Sequence, residues 1–177
     1  MTPQPANAHT PRIAVVVSRY NATVTDRLLE GAIGEAERRT GYITDIWHAP
    51  GSFELPTLAD VALASGKYDG AVTLGCIIRG ETTHDQHIAN AVAQGVVEVS
   101  LKHGIPVTLG VLTVNTPEQA SERAGGKHGN KGADAMGALL DVLSVIGRAR
   151  SITALENRPA QTFAIASTIN DKASGSV

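Results

Sequence analysis

The sequence predicts an α/β protein: a three-layer α/β/α sandwich on a four-stranded parallel sheet. Three observations carry that prediction. Short apolar runs alternate with longer stretches of helical periodicity, the pattern of parallel strands joined by right-handed crossovers. The runs are apolar at successive positions, as in strands covered on both faces. Only 3% of the 177 residues are aromatic, so Ala, Gly, Val, Leu and Ile must build the core, which suits helices packed closely on a sheet.

Residues 1–11 carry three prolines and no periodicity, and read as an extended N-terminal arm. Arg12 to Ser18 is a β-branched strand. From about Thr23 a helix follows, with Val24, Leu28 and Ala32 in one stripe beside Leu29, Ile33 and Ala36, and Gly41 as its stop. Ile43 to Ala49 is the second strand. Pro50-Gly51-Ser52 turns the chain into a helix from Glu54 to Ser65, where Pro56 sits in the first turn and a missing N–H costs little. Gly70 to Gly75 is the third strand, and a long amphipathic helix begins near His84. Pro106 to Thr113 is the fourth strand. A short helix from Pro117 to Ala124, a loop from Gly125 to Asn130 and a last helix from Lys131 to Arg150 complete the pattern. That last helix is apolar nearly all round (Met136, Leu139, Leu140, Val142, Leu143, Val145, Ile146), as expected of an oligomer contact. The domain is thus expected over 12–150, with 151–177 a disordered tail in which Gln161 to Ile169 keeps enough strand character to dock on a neighbour.

Composition excludes several classes. With 42% hydrophobic and 18% charged residues the chain buries a core rather than staying disordered. A net charge of −2 argues against general nucleic-acid or anionic-membrane binding. One cysteine, Cys76, rules out a disulfide framework and a Cys-only metal cage. No signal core and no membrane-length apolar run is present, so a cytoplasmic protein is expected.

In open parallel sheets ligands bind outside the carboxyl ends of the strands. In this sequence those ends are followed by Ser18-Arg19-Tyr20-Asn21, by Pro50-Gly51-Ser52-Phe53-Glu54, by Arg79-Gly80-Glu81-Thr82-Thr83-His84 and by Thr113-Val114-Asn115-Thr116. Two of the few aromatics, Tyr20 and Phe53, fall there, with Asn21 and Glu54 to orient a planar ring. Phe53 alone fits a second reading equally well, as a core residue anchoring its loop. His84 stands at a helix start, where backbone dipoles disfavour added positive charge and suit an imidazole to proton shuttling. The Gly80-Glu81-Thr82-Thr83 segment before it offers N–H groups and a hydroxyl to an anion. His84 and His87 share a face, but no third ligand lies at a metal-site spacing, and no metal is expected. Arg123 to Gly132 is glycine-rich and basic without being a Walker loop. It is either a phosphate-binding segment, with Arg123 as the bidentate group and Asp134 as its partner, or a helix–helix connection.

With these residues the chain resembles the lumazine synthase family over about 12–150. The resemblance rests on Arg19-Tyr20-Asn21, Pro50-Gly51-Ser52-Phe53-Glu54-Leu55-Pro56, Tyr68-Asp69-Gly70, Gly75 through His84, Gly110 to Thr113, and Glu118-Gln119-Ala120 through Arg123 to Gly132. It implies a flavodoxin-like fold. It also implies a transferase of riboflavin biosynthesis that joins 5-amino-6-(D-ribitylamino)uracil to 3,4-dihydroxy-2-butanone 4-phosphate without a cofactor. Under it, Tyr20 stacks on the pyrimidine. Asn21, Ser52, Phe53 and Glu54 hold the ring edge and ribityl chain, and Cys76, Ile77 and Ile78 line the ring pocket. Glu81 and Thr82 bind phosphate, and His84 transfers protons. Leu109 and Arg123 come from an adjacent subunit, Arg123 gripping the phosphate with Lys131 nearby. The family forms homopentamers with active sites between subunits. The short 125–130 connection points to the 60-subunit icosahedral shell, with riboflavin synthase a candidate partner. Asp85 and Gln86 follow His84 where relatives place an aromatic and then an acid. Leu109 replaces a common Phe, and Tyr20 a Phe or Trp. A flavin-binding module and a shell protein without catalysis are the competing classes.

Overall fold

The computed structural model describes residues 10–39 and 41–156. Strands β1 (Arg12–Ser18), β2 (Ile43–Ala49), β3 (Gly70–Ile78) and β4 (Val107–Val114) form one parallel sheet in the order β2-β1-β3-β4. Helix α1 (Ala22–Arg39) leads from β1 to β2, α2 (Leu55–Ala64) from β2 to β3, and α3 (His84–His103) from β3 to β4. After β4 come α4 (Pro117–Arg123), a small antiparallel hairpin of β5 (Ala124–Gly126) and β6 (Gly129–Asn130), and α5 (Lys131–Glu156).

Two cores follow from the two-residue alternation of β1. Ile13, Val15 and Val17 point to the layer of α1 and α5, where Leu28, Met136, Leu139 and Leu140 are shut away from solvent. Ala14 and Val16 point the other way, to Leu55, Ala59, Ala62 and Leu63 of α2 and Val99 of α3. Each fully buried aliphatic side chain contributes ~1.5–3 kcal/mol, so both layers are held by small contributions from many residues. The α1–α5 seam is close: any Cβ on Gly132 would collide with the carbonyl of Leu28. Asn130 closes that corner. Its amide donates to the Arg27 carbonyl at 2.7 Å, and its oxygen accepts from the N–H groups of Gly132 and Ala133.

The expected α/β architecture is present as a flavodoxin-like, four-stranded sandwich, with four local differences. Strand β3 runs past Gly75 to Ile78, so Cys76, Ile77 and Ile78 are ladder residues opposite Leu112, Thr113 and Val114. A glycine does not end a strand that is paired on a neighbour, and this one is needed: a Cβ there would lie 2.7 Å from Ser52 Oγ. The helix expected from Glu54 is a 3-10 turn over Ser52–Glu54 followed by α2. The expected 125–130 loop is the β5–β6 hairpin, with Gly125 and Gly129 at positive φ. Finally, α5 continues past Arg150 to Glu156. Residues 1–9 of the expected arm and 157–177 of the expected tail, including Gln161 to Ile169, lie outside the described residues. On α5 itself Val142 and Val145 are exposed.

Candidate active site

The strand order changes direction of travel between β1 and β3, the crevice where open α/β sheets bind ligands. Here the turns after β1, β2 and β3 and the first turn of α3 enclose a cavity of about 810 Å³. Each wall is fixed by local hydrogen bonds. In the first turn, Ser18 Oγ accepts from the Tyr20 N–H at 3.1 Å, and the Arg19 N–H donates to the Ala49 carbonyl at 2.8 Å. Asn21 adopts φ 60, a left-handed conformation that asparagine tolerates. From there its amide donates to the Cys76 carbonyl at 2.9 Å, tying the β1 turn to β3, and its carbonyl accepts from Val24 and Thr25 to start α1. In the second turn, Glu54 Oε2 accepts from the Gly51 N–H at 2.9 Å, so this carboxylate shapes the loop it belongs to.

The structure brings Tyr20, Asn21, Ser52, Phe53, Glu54, Cys76, Ile77, Ile78, Thr82 and His84 to this one cavity. Tyr20 is 69% exposed and Phe53 59% exposed. That exposure removes the core-anchor reading of Phe53; both rings offer apolar faces that the chain itself leaves uncovered. Ser52 is only 7% exposed, yet its Oγ has no partner among the described residues. A buried hydroxyl in that state costs ~1–3 kcal/mol unless something arrives to bond it. Burial pushes the Cys76 thiol up to about 11. It therefore stays protonated near neutrality and is no nucleophile. Thr82 Oγ1 lies 3.4 Å from the His84 N–H, at the start of α3.

Four expected site residues lie outside the cavity of this chain. Glu81 is exposed and does not line it. Leu109 is on β4, 47% exposed. Arg123 ends α4, its Nη1 donating to the Gln119 carbonyl one turn back at 3.1 Å. Lys131 pairs with Asp134 at 2.7 Å, three residues apart on α5. The expected Arg123–Asp134 pair is thereby corrected: among the described residues the ion pair of Asp134 is with Lys131 of its own helix.

Six more residues line the wall, Gly51, Arg79, Gly80, Asp85, His87 and Ile88; sequence reading placed the first three beyond the strand ends and gave a role only to Gly80, toward an anion. Spacing had already put His87 on the face of His84, whereas Ile88 reads as a core position by periodicity. Asp85 buries one carboxylate oxygen, Oδ1, without a donor among the described residues. No group of three or more His, Cys, Asp or Glu among the described residues is placed to hold a metal ion. The arrangement offers two aromatic faces, unsatisfied polar atoms and exposed imidazoles. It can hold a flat polar ligand and move its protons, leaving the nucleophile to the ligand.

Comparison with known proteins agrees with this geometry. A family model described as 6,7-dimethyl-8-ribityllumazine synthase matches residues 10–146. A protein of that name from Sulfurovum sp. (strain NBC37-1) is 46% identical over 138 residues, covering 77% of this chain and 88% of the relative. Helicobacter pylori (strain HPAG1) and Helicobacter acinonychis (strain Sheeba) have proteins of the same name. Each is 46% identical over 136 residues, covering 76% of this chain and 87% of the relative.

Proposed function

Because the chain belongs to the 6,7-dimethyl-8-ribityllumazine synthase family, we propose that its cavity condenses 5-amino-6-(D-ribitylamino)uracil with 3,4-dihydroxy-2-butanone 4-phosphate. It is an enzyme, a transferase of riboflavin biosynthesis. The reaction passes through imine formation, phosphate elimination and ring closure, and the attacking nitrogen belongs to the substrate. One observation carries the assignment of the site: Tyr20 and Phe53, both uncovered, share one cavity with His84 at the β1–β3 crevice.

The roles proposed are those the family resemblance implies, supported for all but Glu81 by a place in the cavity wall. Tyr20 and Phe53 cover the faces of the pyrimidine. Asn21, Ser52 and Glu54 meet its edge and the ribityl hydroxyls, and Ser52 Oγ gains the partner it lacks. Cys76, Ile77 and Ile78 form the wall behind the ring. Glu81 and Thr82, ahead of α3, take the phosphate, and His84 transfers protons. Holding two reactants in register is worth ~7–11 kcal/mol, whereas one acid–base group supplies about 10²–10⁴-fold, or ~3–5 kcal/mol. Positioning is the larger part of this catalyst.

Leu109, Arg123 and Lys131 serve the site of a second copy in a homopentamer. This agrees with their place outside the cavity of their own chain and with the exposed apolar side chains of Ile46, Val97 and Leu101. The short hairpin between α4 and α5 favours twelve pentamers closed into a 60-subunit shell. The enzyme acts in the cytoplasm, and riboflavin synthase, which would consume its product, is the partner such a shell would carry. Mixing the protein with both substrates and recording lumazine absorbance tests the activity: a folded, assembled sample that forms no lumazine refutes it. Sedimentation showing pentamers alone refutes the shell.

A further inference from the structure

We propose that His87 is a second proton-transfer group of this cavity, sharing with His84 the proton traffic of the condensation; the inference rests on the reading just given. His84 and His87 are the first and fourth residues of α3, and both line the cavity. Residues three apart on a helix are neighbours on one face, with Cβ atoms ~5–6 Å apart, so both imidazoles face the same space within reach of one ligand.

The other histidines of the domain make the contrast. His103 is held by Asp60 at 2.6 Å, and His128 lies 3.5 Å from Glu122. His48 is on the edge strand β2, outside the cavity. Two of these three histidines thus face a carboxylate, and His48, exposed, lies away from the cavity. The two in the cavity are exposed and make no side-chain hydrogen bond or ion pair among the described residues. The charged groups around them are few. Glu54, from the 3-10 turn packed on α3, is committed to the Gly51 N–H. Arg79 closes the end of β3, and Asp85 of α3 itself also lines the wall. On α2, Asp60 is tied to Lys102 and His103 at the far end of α3. None of these clamps His87, so its ring is free to take and give a proton. Among the described residues no third ligand joins the pair, so its donor set does not make a metal site.

The reaction has work for two such groups. Imine formation removes both protons from the substrate amine and places both on the ketone oxygen, which departs as water. Elimination then takes a proton from carbon while the C–O bond to phosphate breaks and its electron pair leaves with the phosphate. Protons are thus taken up and delivered at different atoms of one ligand. A single imidazole must reset between these steps, whereas two one turn apart divide them.

The test compares wild type, His84→Gln, His87→Gln and the double variant in single-turnover assays from about pH 5 to about pH 8, the range in which imidazoles titrate. Glutamine keeps length and polarity but carries no titrating proton. Each single change is expected to slow the chemical step roughly tenfold with KM for the pyrimidine unchanged. The double change should be slower than either single change and flatten the pH profile. Free imidazole should restore part of the rate to His87→Ala, which serves as the second variant if glutamine impairs assembly. A His87→Gln enzyme with wild-type rate and pH profile overturns the proposal, as does a double variant no slower than His84→Gln. If wild type itself forms no lumazine, the condensation reading fails instead, so the two failures are told apart.

Discussion

Arg12, Asp45 and Tyr68, towards the amino ends of the strands, with Trp47 further along β2, and Tyr20, Ser52, Phe53 and His84, beyond the carboxyl ends, are sets of polar and aromatic residues of similar make-up. At the amino ends they are spent on each other. The Arg12 guanidinium makes two hydrogen bonds to the Asp45 carboxylate, one of them at 2.9 Å, and lies 5.9 Å from the centre of the Tyr68 ring. The Trp47 indole donates to the Tyr68 hydroxyl at 3.2 Å, with the rings edge to face. Asp69 accepts from the Arg12 N–H at 2.8 Å. The hydrogen bond from Arg12 holds the Asp45 carboxyl below its ordinary range. At the carboxyl ends two rings stand uncovered and the Ser52 hydroxyl has no partner among the described residues. Residue types alone do not distinguish a structural cluster from a site; satisfaction does. Among the described residues Thr25 Oγ1 and Thr108 Oγ1 are also buried without a partner but line no cavity, so an unmet hydroxyl marks a site only where, as at Ser52, it stands in a cavity wall beside uncovered rings.

The comparison breaks most easily through its rings. Tyr68→Ala removes a buried aromatic and should cost ~3–5 kcal/mol of stability in urea denaturation, with activity per folded molecule preserved. Phe53→Ala should do the reverse. Stability stays within about 0.5 kcal/mol because the ring is already exposed, while KM for the pyrimidine rises roughly tenfold, ~1.4 kcal/mol. Equal stability losses in the two variants would erase the distinction between the ends.

Cys76 sharpens it, because the cavity wall it forms also belongs to the core. Burial raises its thiol from 9.0 to about 11. The folded chain therefore keeps a proton that the unfolded chain releases. The associated stability is complete below pH 9 and is lost as the pH rises through that interval. Denaturation at about pH 8 and at about pH 10.5 should show a decline that is shallower in Cys76→Ala; identical slopes would mean the thiol is not shielded. The smallest effect is expected at Ser52. Ser52→Ala deletes an unsatisfied hydroxyl, so stability should hold or rise by up to about 1 kcal/mol while the pyrimidine binds more weakly. A clear loss of stability would show that the hydroxyl is already bonded within the protein.

The limits of β1 and β2 were legible because each β-branched run ends in a polar turn. The end of β3 was not. Gly75 looks like a stop in sequence, and only its pairing opposite Val111 and the closeness of Ser52 explain why the strand runs on. Tyr20, Phe53 and His84 could be picked out since strand ends are where such folds bind ligands. Asp85 and Ile88 required the phase of α3: which side of that helix faces the crevice depends on how it lies against the 3-10 turn and α2. Arg123 and Lys131 were singled out as basic residues in a glycine-rich segment, and in this chain they face elsewhere.

What the sequence determined by itself is the succession of elements and the chemistry at each strand end, because hydrophobic period and turn preference are properties of a few neighbouring residues. What tertiary structure decided is the order β2-β1-β3-β4 and the meeting of Tyr20, Phe53 and His84 around one cavity. Those depend on which apolar faces bury one another, an energy shared between segments far apart along the chain that no single stretch encodes.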